Sequence, residues 1–361
     1  MKVIWKIALL LGIVLVLFYY MDDRVQENDL LESPVKRSTA IPVPGNGTGS
    51  PMPQTSRPED GISSFVGKDV DLLIEKMGKP DRIEPSLYGY DWWIYLGQIQ
   101  FMAGVEKQKV NQIYSSAINS DVSPFEVGQD VKDIYRFSIV ETEVDVQIDD
   151  NMYTFSLNSE DVKNRILVTF KDVYAQLYID GIDGKLEGVR FIDPLTLVTH
   201  QPYDMAYRGE MISKKYPSST VQAEVDRAME RQIFELSNII REKHDVNKLE
   251  RNYSLNILAR EHSKEMALEN YFSNDSPQVG NLAERLKESS IEHKQAGENI
   301  ATNYVDAIEV VHGWLNSPEH RKVLLEEGFT HIGTGAYGRY YTQDFIRMVE
   351  DKKEEKGPGT F

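Results

Sequence analysis

A chain of 361 residues, 41% of them hydrophobic and 10% aromatic, is long enough for two ordinary domains with their own cores. Its net charge of −17 excludes a nucleic-acid partner gripped by clustered Lys and Arg, and disfavours a broad electrostatic hold on anionic lipid or anionic wall polymer. There is no cysteine, which excludes disulfides and thiolate metal sites and is compatible with export for a core of this size.

At the N-terminus Lys2 and Lys6 stand before the apolar run Ile7 to Tyr20, and Asp22 and Asp23 follow it. That asymmetry predicts a cytoplasmic N-terminus with everything after the run outside. Residues 3–21 reach spanning length when Val3 to Trp5 are counted and Lys6 snorkels. No small-residue A-x-A cleavage pattern follows; Phe18-Tyr19-Tyr20-Met21 places large aromatics at the interface instead. Residues 1–23 therefore read as an uncleaved signal anchor of a single-pass membrane protein.

From 24 to 63 hydrophobic periodicity is lost, and Pro34, Pro42, Pro44, Pro51, Pro53 and Pro58 alternate with Gly, Ser and Thr. This composition predicts a disordered tether, which at ~3.1 Å per residue over ~40 residues could reach on the order of 100 Å.

Folded sequence begins near Phe65. "VGKDVDLLIEKMG" from Val66 and "VGQDVKDIYRF" from Val127 open two weakly similar halves, each followed by strand-like runs such as "YDWWIYLG" and "ILVTF". The expectation for 64–205 is a small α+β domain made of two such repeats. Trp92 and Trp93 belong with core and sheet faces rather than with a ligand platform.

Residues 206–222 read as a connector, 223–349 as the last domain and 350–361 as a frayed charged tail. Val225, Met229, Ile233, Leu236 and Ile240 predict a helix over 223–243. A second helix follows Ser254, with Leu255, Leu258, Ala259, His262 and Met266 on its buried stripe. A third covers Val305 to Trp314; a short turn follows Pro318, and "HIGTGAYG" and "YYTQDF" read as strands. The whole chain is α+β.

The order "YFSNDSP", "AGENIA", "GWLNSPEHR", "IGTGAYGRYYTQDF" over about 225–347 resembles the CAP superfamily of cysteine-rich secretory, antigen 5 and pathogenesis-related 1 proteins, also called SCP-like. The resemblance implies a three-layer α-β-α sandwich for this third of the chain. The order of anchor, linker, repeat-containing domain and CAP module is similar to that of bacterial membrane-anchored proteins carrying a CAP-associated N-terminal domain.

The resemblance also implies a cleft. In the family it is lined by a His of F-S-H-x-S-P, the Glu of G-E-N, a His of the G-H-R type and, in many eukaryotic members, a Glu three residues after the Trp. Carried onto this chain, the Glu is Glu298 and the second His is His320, while the first His position holds Asn274 and the added Glu position holds Ser317. Protein-held Zn²⁺ needs about three good N or O ligands, and a neutral amide is a poor one. Glu298 and His320 are thus the candidate metal ligands and the candidate acid/base pair, but no cofactor is expected from so reduced a set. No Gly-x-Ser-x-Gly nucleophile or phosphate-binding Gly loop is present.

His262 reads as a core histidine, and His293, His312 and His331 as surface or groove residues. The functional expectation is a membrane-anchored extracellular module whose cleft, at Asn274, Glu298, Ser317 and His320, binds a peptide, glycan or lipid component of the cell surface or wall. Two alternatives stand beside it: a hydrolase of peptide or wall material using Glu298 and His320, or a structural head docking a protein partner through Tyr337, Tyr340 and Tyr341.

Overall fold

The computed structural model describes residues 24–26, 28–35, 38–40, 55–138, 140–212 and 217–349. The anchor expected over 1–23 and the tail expected over 350–361 lie outside the described residues. Among the described residues no helix is long and apolar enough to cross a membrane.

Of the tether expected over 24–63, residues 27, 36, 37 and 41–54 lie outside the described residues, and the described ones are not free. β1 (Arg24–Gln26) and β2 (Leu31–Glu32) pair parallel with a strand of the last domain, and β3 (Ser38–Ala40) pairs parallel with a strand of the first. Thr55 bridges Phe170, and Ile62 and Ser63 are buried in a 3₁₀ turn over Ile62–Phe65. Composition missed this because the hydrogen-bonding partners are sheet edges distant in sequence, so the segment needs no hydrophobic period of its own.

The first domain opens with α1 (Val70–Met77), then β4 (Arg82–Pro85), β5 (Asp91–Tyr95), β6 (Phe101–Glu106) and β7 (Lys109–Ser115). A second run follows: α2 (Val131–Phe137), β8 (Glu143–Ile148), β9 (Asn151–Ser156), α3 (Ser159–Asn164), β10 (Arg165–Phe170), β11 (Val173–Asp180) and β12 (Lys185–Ile192). It closes with α4 (Pro194–His200) and β13 (Asp204–Arg208), which lies partly within the connector expected from 206. Seven strands form one antiparallel sheet in the order β10-β11-β12-β7-β6-β5-β4, and β3-β13-β9-β8 form a smaller one.

The two Gly-x-Asp-Val openings make the same bonds. Gly67 N donates to Val110 O (2.6 Å) and Val70 N to Gln108 O (2.9 Å); Gly128 N donates to Leu186 O (2.8 Å) and Val131 N to Gly184 O (2.9 Å). Both glycines have positive φ, and Asp69 and Asp130 cap the helices that follow. The strands they dock on, β7 and β12, are neighbours in the middle of the large sheet.

The last domain contains α5 (Ser219–Lys243), β14 (Glu250–Arg251), α6 (Tyr253–Glu269), α7 (Leu282–Glu288) and β15 (His293–Thr302). It ends with α8 (Ala307–Asn316), α9 (Pro318–Leu324), β16 (His331–Tyr337) and β17 (Tyr340–Met348). Its sheet runs β15-β17-β16-β14, with β1 and β2 added along β15.

Alternation along these strands assigns the faces. Ile346 and Ala296 pack with Leu255, Leu282 and Leu286 of α6 and α7, whereas Phe345, Tyr341 and Ile332 pack with α5, α8 and α9. The sheet therefore lies between two helical layers. Gly333 and Gly335 let α6 come down on β16: a Cβ on them would lie 2.2 and 2.1 Å from backbone carbons of Leu255 and Ala259.

One core joins the domains. Tyr90, Trp92, Tyr114 and Tyr178 from the large sheet pack directly on Met229 and Ile233 of α5 and Val311 and Trp314 of α8. The seam also holds buried ion pairs. Arg190 donates to both oxygens of Asp306 (2.8 Å each), Arg165 pairs with Glu309 (3.3 Å), and Gln176 donates to Glu309 (3.0 Å). Two expectations are corrected here. His312 is not on the surface: it is 3% exposed, stacked on Tyr178 and bonded to Tyr114 Oη through Nε2 at 2.8 Å. Tyr341 is fully buried, its hydroxyl donating to Tyr304 O, so it cannot form an exposed docking face with Tyr337 and Tyr340.

Candidate functional site

β15 carries the "GENI" residues and exposes the free edge of the four-stranded core sheet to β1 and β2. Because side chains alternate, Glu298 points to the α6/α7 face and Asn299 to the opposite one. Both Glu298 oxygens accept from Arg285 Nη2 (2.8 and 2.7 Å), and Glu298 and Arg285 are 0% and 4% exposed. α7 presents Arg285 here through a capping box in which Asn281 and Glu284 satisfy each other's backbone. Arg285 also donates to Asn274 O (3.2 Å).

Asp344 on β17 is the cross-strand partner of Glu298 and is fully buried. Burial, and then the adjacent charge of Glu298, push its carboxyl well above the usual range. One guanidinium faces two carboxyls, so Asp344 keeps its proton and can donate it towards Glu298. His262, on α6, faces the same cluster; burial takes it down to about 4 despite the nearby Glu298, so it is neutral at pH 7.

The other family positions converge just beyond the strand edge, around Asn28. Asn28 Nδ2 donates to Glu298 O (2.9 Å) and to Asn299 Oδ1 (2.5 Å), and Asn274 Nδ2 donates to Asn28 O. Asn299 in turn donates to His320 O (3.1 Å) and Gln343 Oε1 (3.3 Å), and Gln343 donates to Ser237 Oγ (2.6 Å). Ser317 Oγ bonds His320 Nδ1 (2.8 Å). His320 is 1% exposed, and burial lowers it to about 4, with Asp29 the first opposing charge.

Asn274, Ser317 and His320 are thus brought together with the backbone of Glu298, while the Glu298 carboxylate is turned away and committed to Arg285. No hydrogen bond or ion pair joins Glu298 to His320 among the described residues. Sequence reasoning missed Arg285, Asp344, Asn299 and Asn28. The N-x-x-E spacing of Asn281 and Glu284 could have located α7, and alternation within "YYTQDF" could have turned Asp344 inward. Nothing local marked Asn28.

With this geometry, similarity to known proteins becomes specific. The family profile described as CAP-associated N-terminal matches residues 66–203, and that described as Cysteine-rich secretory protein family matches 234–349. The uncharacterized membrane protein YlbC of Bacillus subtilis is 41% identical over 292 residues, 80% of this chain and 84% of that protein. The chain belongs to the cysteine-rich secretory protein family, the CAP family. A solved extracellular protein containing a SCP domain from Bacillus anthracis is 35% identical, with a TM-score of 0.76 over 85% of this chain and all (100%) of that one. A cysteine-rich secretory protein from Staphylococcus aureus shares the fold with a TM-score of 0.76 at 24% identity, over 90% and 99% of the two chains.

The CAP cleft of this chain does not fit Zn²⁺. Asn274 offers a buried amide oxygen without a hydrogen-bond partner, a poor ligand, and the third ligand position has no free carboxylate, since both Glu298 oxygens are held by Arg285. Asp180, Glu187 and His244, at the domain seam, come within coordinating range of one another. There Arg321 already donates to Asp180 (2.6 Å) and Lys243 to Glu187 (2.5 Å), so cations of the chain itself neutralise the acids.

Proposed function

We propose that this protein is a membrane-anchored extracellular CAP module that binds a peptide, glycan or lipid component of the cell surface at the edge of β15 without turning it over. The observation that carries the reading is the character of the cleft. Asn274, Asn299 and His320 offer neutral hydrogen-bonding groups, and the Glu298 carboxylate is buried in an ion pair. Such a set can recognise polar ligands, whereas general-base work needs a group able to take a proton near neutral pH. His320, lowered to about 4, is a weak base, and Glu298 is not in reach of water.

Anchoring rests on the Lys-flanked apolar run at 3–21 and on the membrane protein to which the chain is similar. The extracellular setting agrees with the description of the Bacillus anthracis relative.

The test is binding of purified full chain in detergent to isolated wall fragments, surface peptides and vesicles of host lipid, beside Asn274→Ala and His320→Ala. Retention of the wild type, lost in both variants, supports recognition through the cleft. Turnover of any of these materials by the wild type, or retention unchanged in both variants, overturns it.

A further inference from the structure

The occupant of the cleft is the chain itself. β1 aligns Arg24, Val25 and Gln26 with Gln295, Ala296 and Gly297; β2 aligns Leu31 and Glu32 with Ala301 and Thr302. Between these pairings Asn28 is turned into the cleft, its carboxamide donating to Glu298 O and Asn299 Oδ1. Ser33 N donates to Thr302 O (3.0 Å), extending the strand-like contact past β2. The recognition chemistry is that of an added peptide strand: main-chain bonds to a sheet edge, with one side-chain pocket supplying specificity.

We propose that the edge of β15 is a receptor for an extended peptide that places an asparagine carboxamide against Glu298 O and Asn299, and that residues 24–33 are a displaceable internal copy of that ligand. This deepens the reading proposed above by choosing peptide over glycan and lipid. Two observations favour a displaceable occupant over a fixed strand. The paired stretches are three and two residues long, too short to hold firmly by backbone bonds at about 0.5–1.5 kcal/mol each. The strap also leaves Asn274 Oδ1 buried and unpartnered beside it, so the cleft can make a bond that its own segment does not supply. The Asn274 oxygen is available to a donor on a better-matched peptide.

The strap sits in the cleft at an effective concentration on the order of 1 mM, as for a short flexible linker. A trans affinity tenfold tighter than that would leave the cleft open about one-tenth of the time and weaken an added peptide about tenfold.

The experiment uses full chain in detergent and a fluorescein-labelled peptide of residues 24–35, RVQENDLLESPV, read by anisotropy. The chain variant Asn28→Ala/Leu31→Asp loosens the strap by removing its carboxamide and its packed leucine. The peptide should bind this variant about tenfold more tightly than wild type, and a peptide carrying Asn28→Ala should bind neither. Hydrogen exchange of β15 should rise in the loosened variant and return to the wild-type level with saturating peptide. Equal affinity for both chains, absence of binding to the loosened variant up to ~1 mM, or unprotected β15 amides in wild type would each overturn the inference. Because the probe is the chain's own segment, failure to find a surface ligand would sink the broader proposal and leave this one standing. Wall or lipid binding with no peptide binding would do the reverse.

Discussion

Glu298 and Asp344 face each other across β15 and β17 with a single guanidinium, Arg285, held by Glu298. The cluster is electrically balanced only if one acid is protonated, and Asp344, lacking a cation of its own, is that acid. The Glu298 carboxylate of the GENI stretch is therefore buried beneath the cleft, and the groups that line the cleft beside it are the amides of Asn28, Asn274 and Asn299.

The two acids should differ in what neutralising each one costs. Glu298→Gln removes the carboxylate that Arg285 holds and leaves Asp344 to ionise as its counter-charge, so the loss should be that of the charge-assisted bonds, about 1.5–3 kcal/mol. Asp344→Asn replaces a neutral acid by a neutral amide and should cost less than about 1 kcal/mol at pH 7. A raised carboxyl pKa makes the wild type lose stability as pH rises above the ordinary Asp range, so the Asn variant should compare best at high pH. Urea melts of both variants at pH 5 and pH 8 read this out, and equal losses would contradict the assignment of the proton.

His320 predicts a pH effect of the other sign. Its folded value of about 4 lies below the ordinary 6.5, so the unfolded chain binds a proton first as pH falls. Its contribution is complete above about pH 6.5 and is lost progressively down to about pH 4, worth about 3 kcal/mol by the ~1.4 kcal/mol per unit conversion. His320→Asn should therefore flatten the stability profile between those limits relative to wild type, while leaving its slope above pH 7 unchanged. Paired denaturant titrations at pH 7.5 and 4.5 suffice; parallel profiles would show that His320 does not hold this low value.

How much of this was readable before the fold depends on where each residue's partners lie. α6 and α8 followed from their apolar stripes, and α5 was legible in its middle though it starts at Ser219, because Val221 is exposed and adds nothing to the stripe. Glu298 and His320 were located by motif, but not the direction of the carboxylate, which is set by Arg285 on a helix of only seven residues. Asn28 and His312 were misread for a common reason. Each is buried by a strand or sheet far away in sequence, and neither segment carries a local pattern that announces such a partner.

The donor set makes a prediction about metal. With Asn274 an amide and Glu298 in an ion pair, calorimetry on the full chain should show no specific Zn²⁺ binding tighter than about 10 µM at pH 7. Specific Zn²⁺ binding that disappears in His320→Ala would mean that another side chain completes the site and would reopen the hydrolase reading.

Close packing at β16 sets a steric limit. A methyl group at Gly335 would fall 2.1–2.3 Å from the Ala259 carbonyl and the Arg260 amide, backbone atoms that move only if α6 lifts off the sheet. Gly335→Ala should cost more than the usual 1–3 kcal/mol of overpacking and displace α6 as a whole. Gly338→Ala is the control: it has no atom within 4 Å, although its φ of +61° makes a modest strain of about 1 kcal/mol the expectation. A thermal melt separates them, and similar small losses would show that α6 has room to spare.

The shared core bears on whether the CAP domain can be studied alone. Cutting the chain at the seam would expose Met229, Ile233 and Val311, and would strand Asp306 and Glu309 without Arg190 and Arg165. In the fragment the seam's apolar residues face water, and the burial they had gained against Tyr90, Trp92, Tyr114 and Tyr178 is lost. The two domains should therefore unfold together in one calorimetric transition, and a fragment of residues 217–349 should aggregate or melt far below the full chain. Arg190→Met with Asp306→Leu, which removes both charges, should retain more stability than either single change, since no unpaired charge is left in the seam. Two separated transitions in the wild type, or a fragment as stable as the intact protein, would show instead that the seam is a docking contact between independent domains.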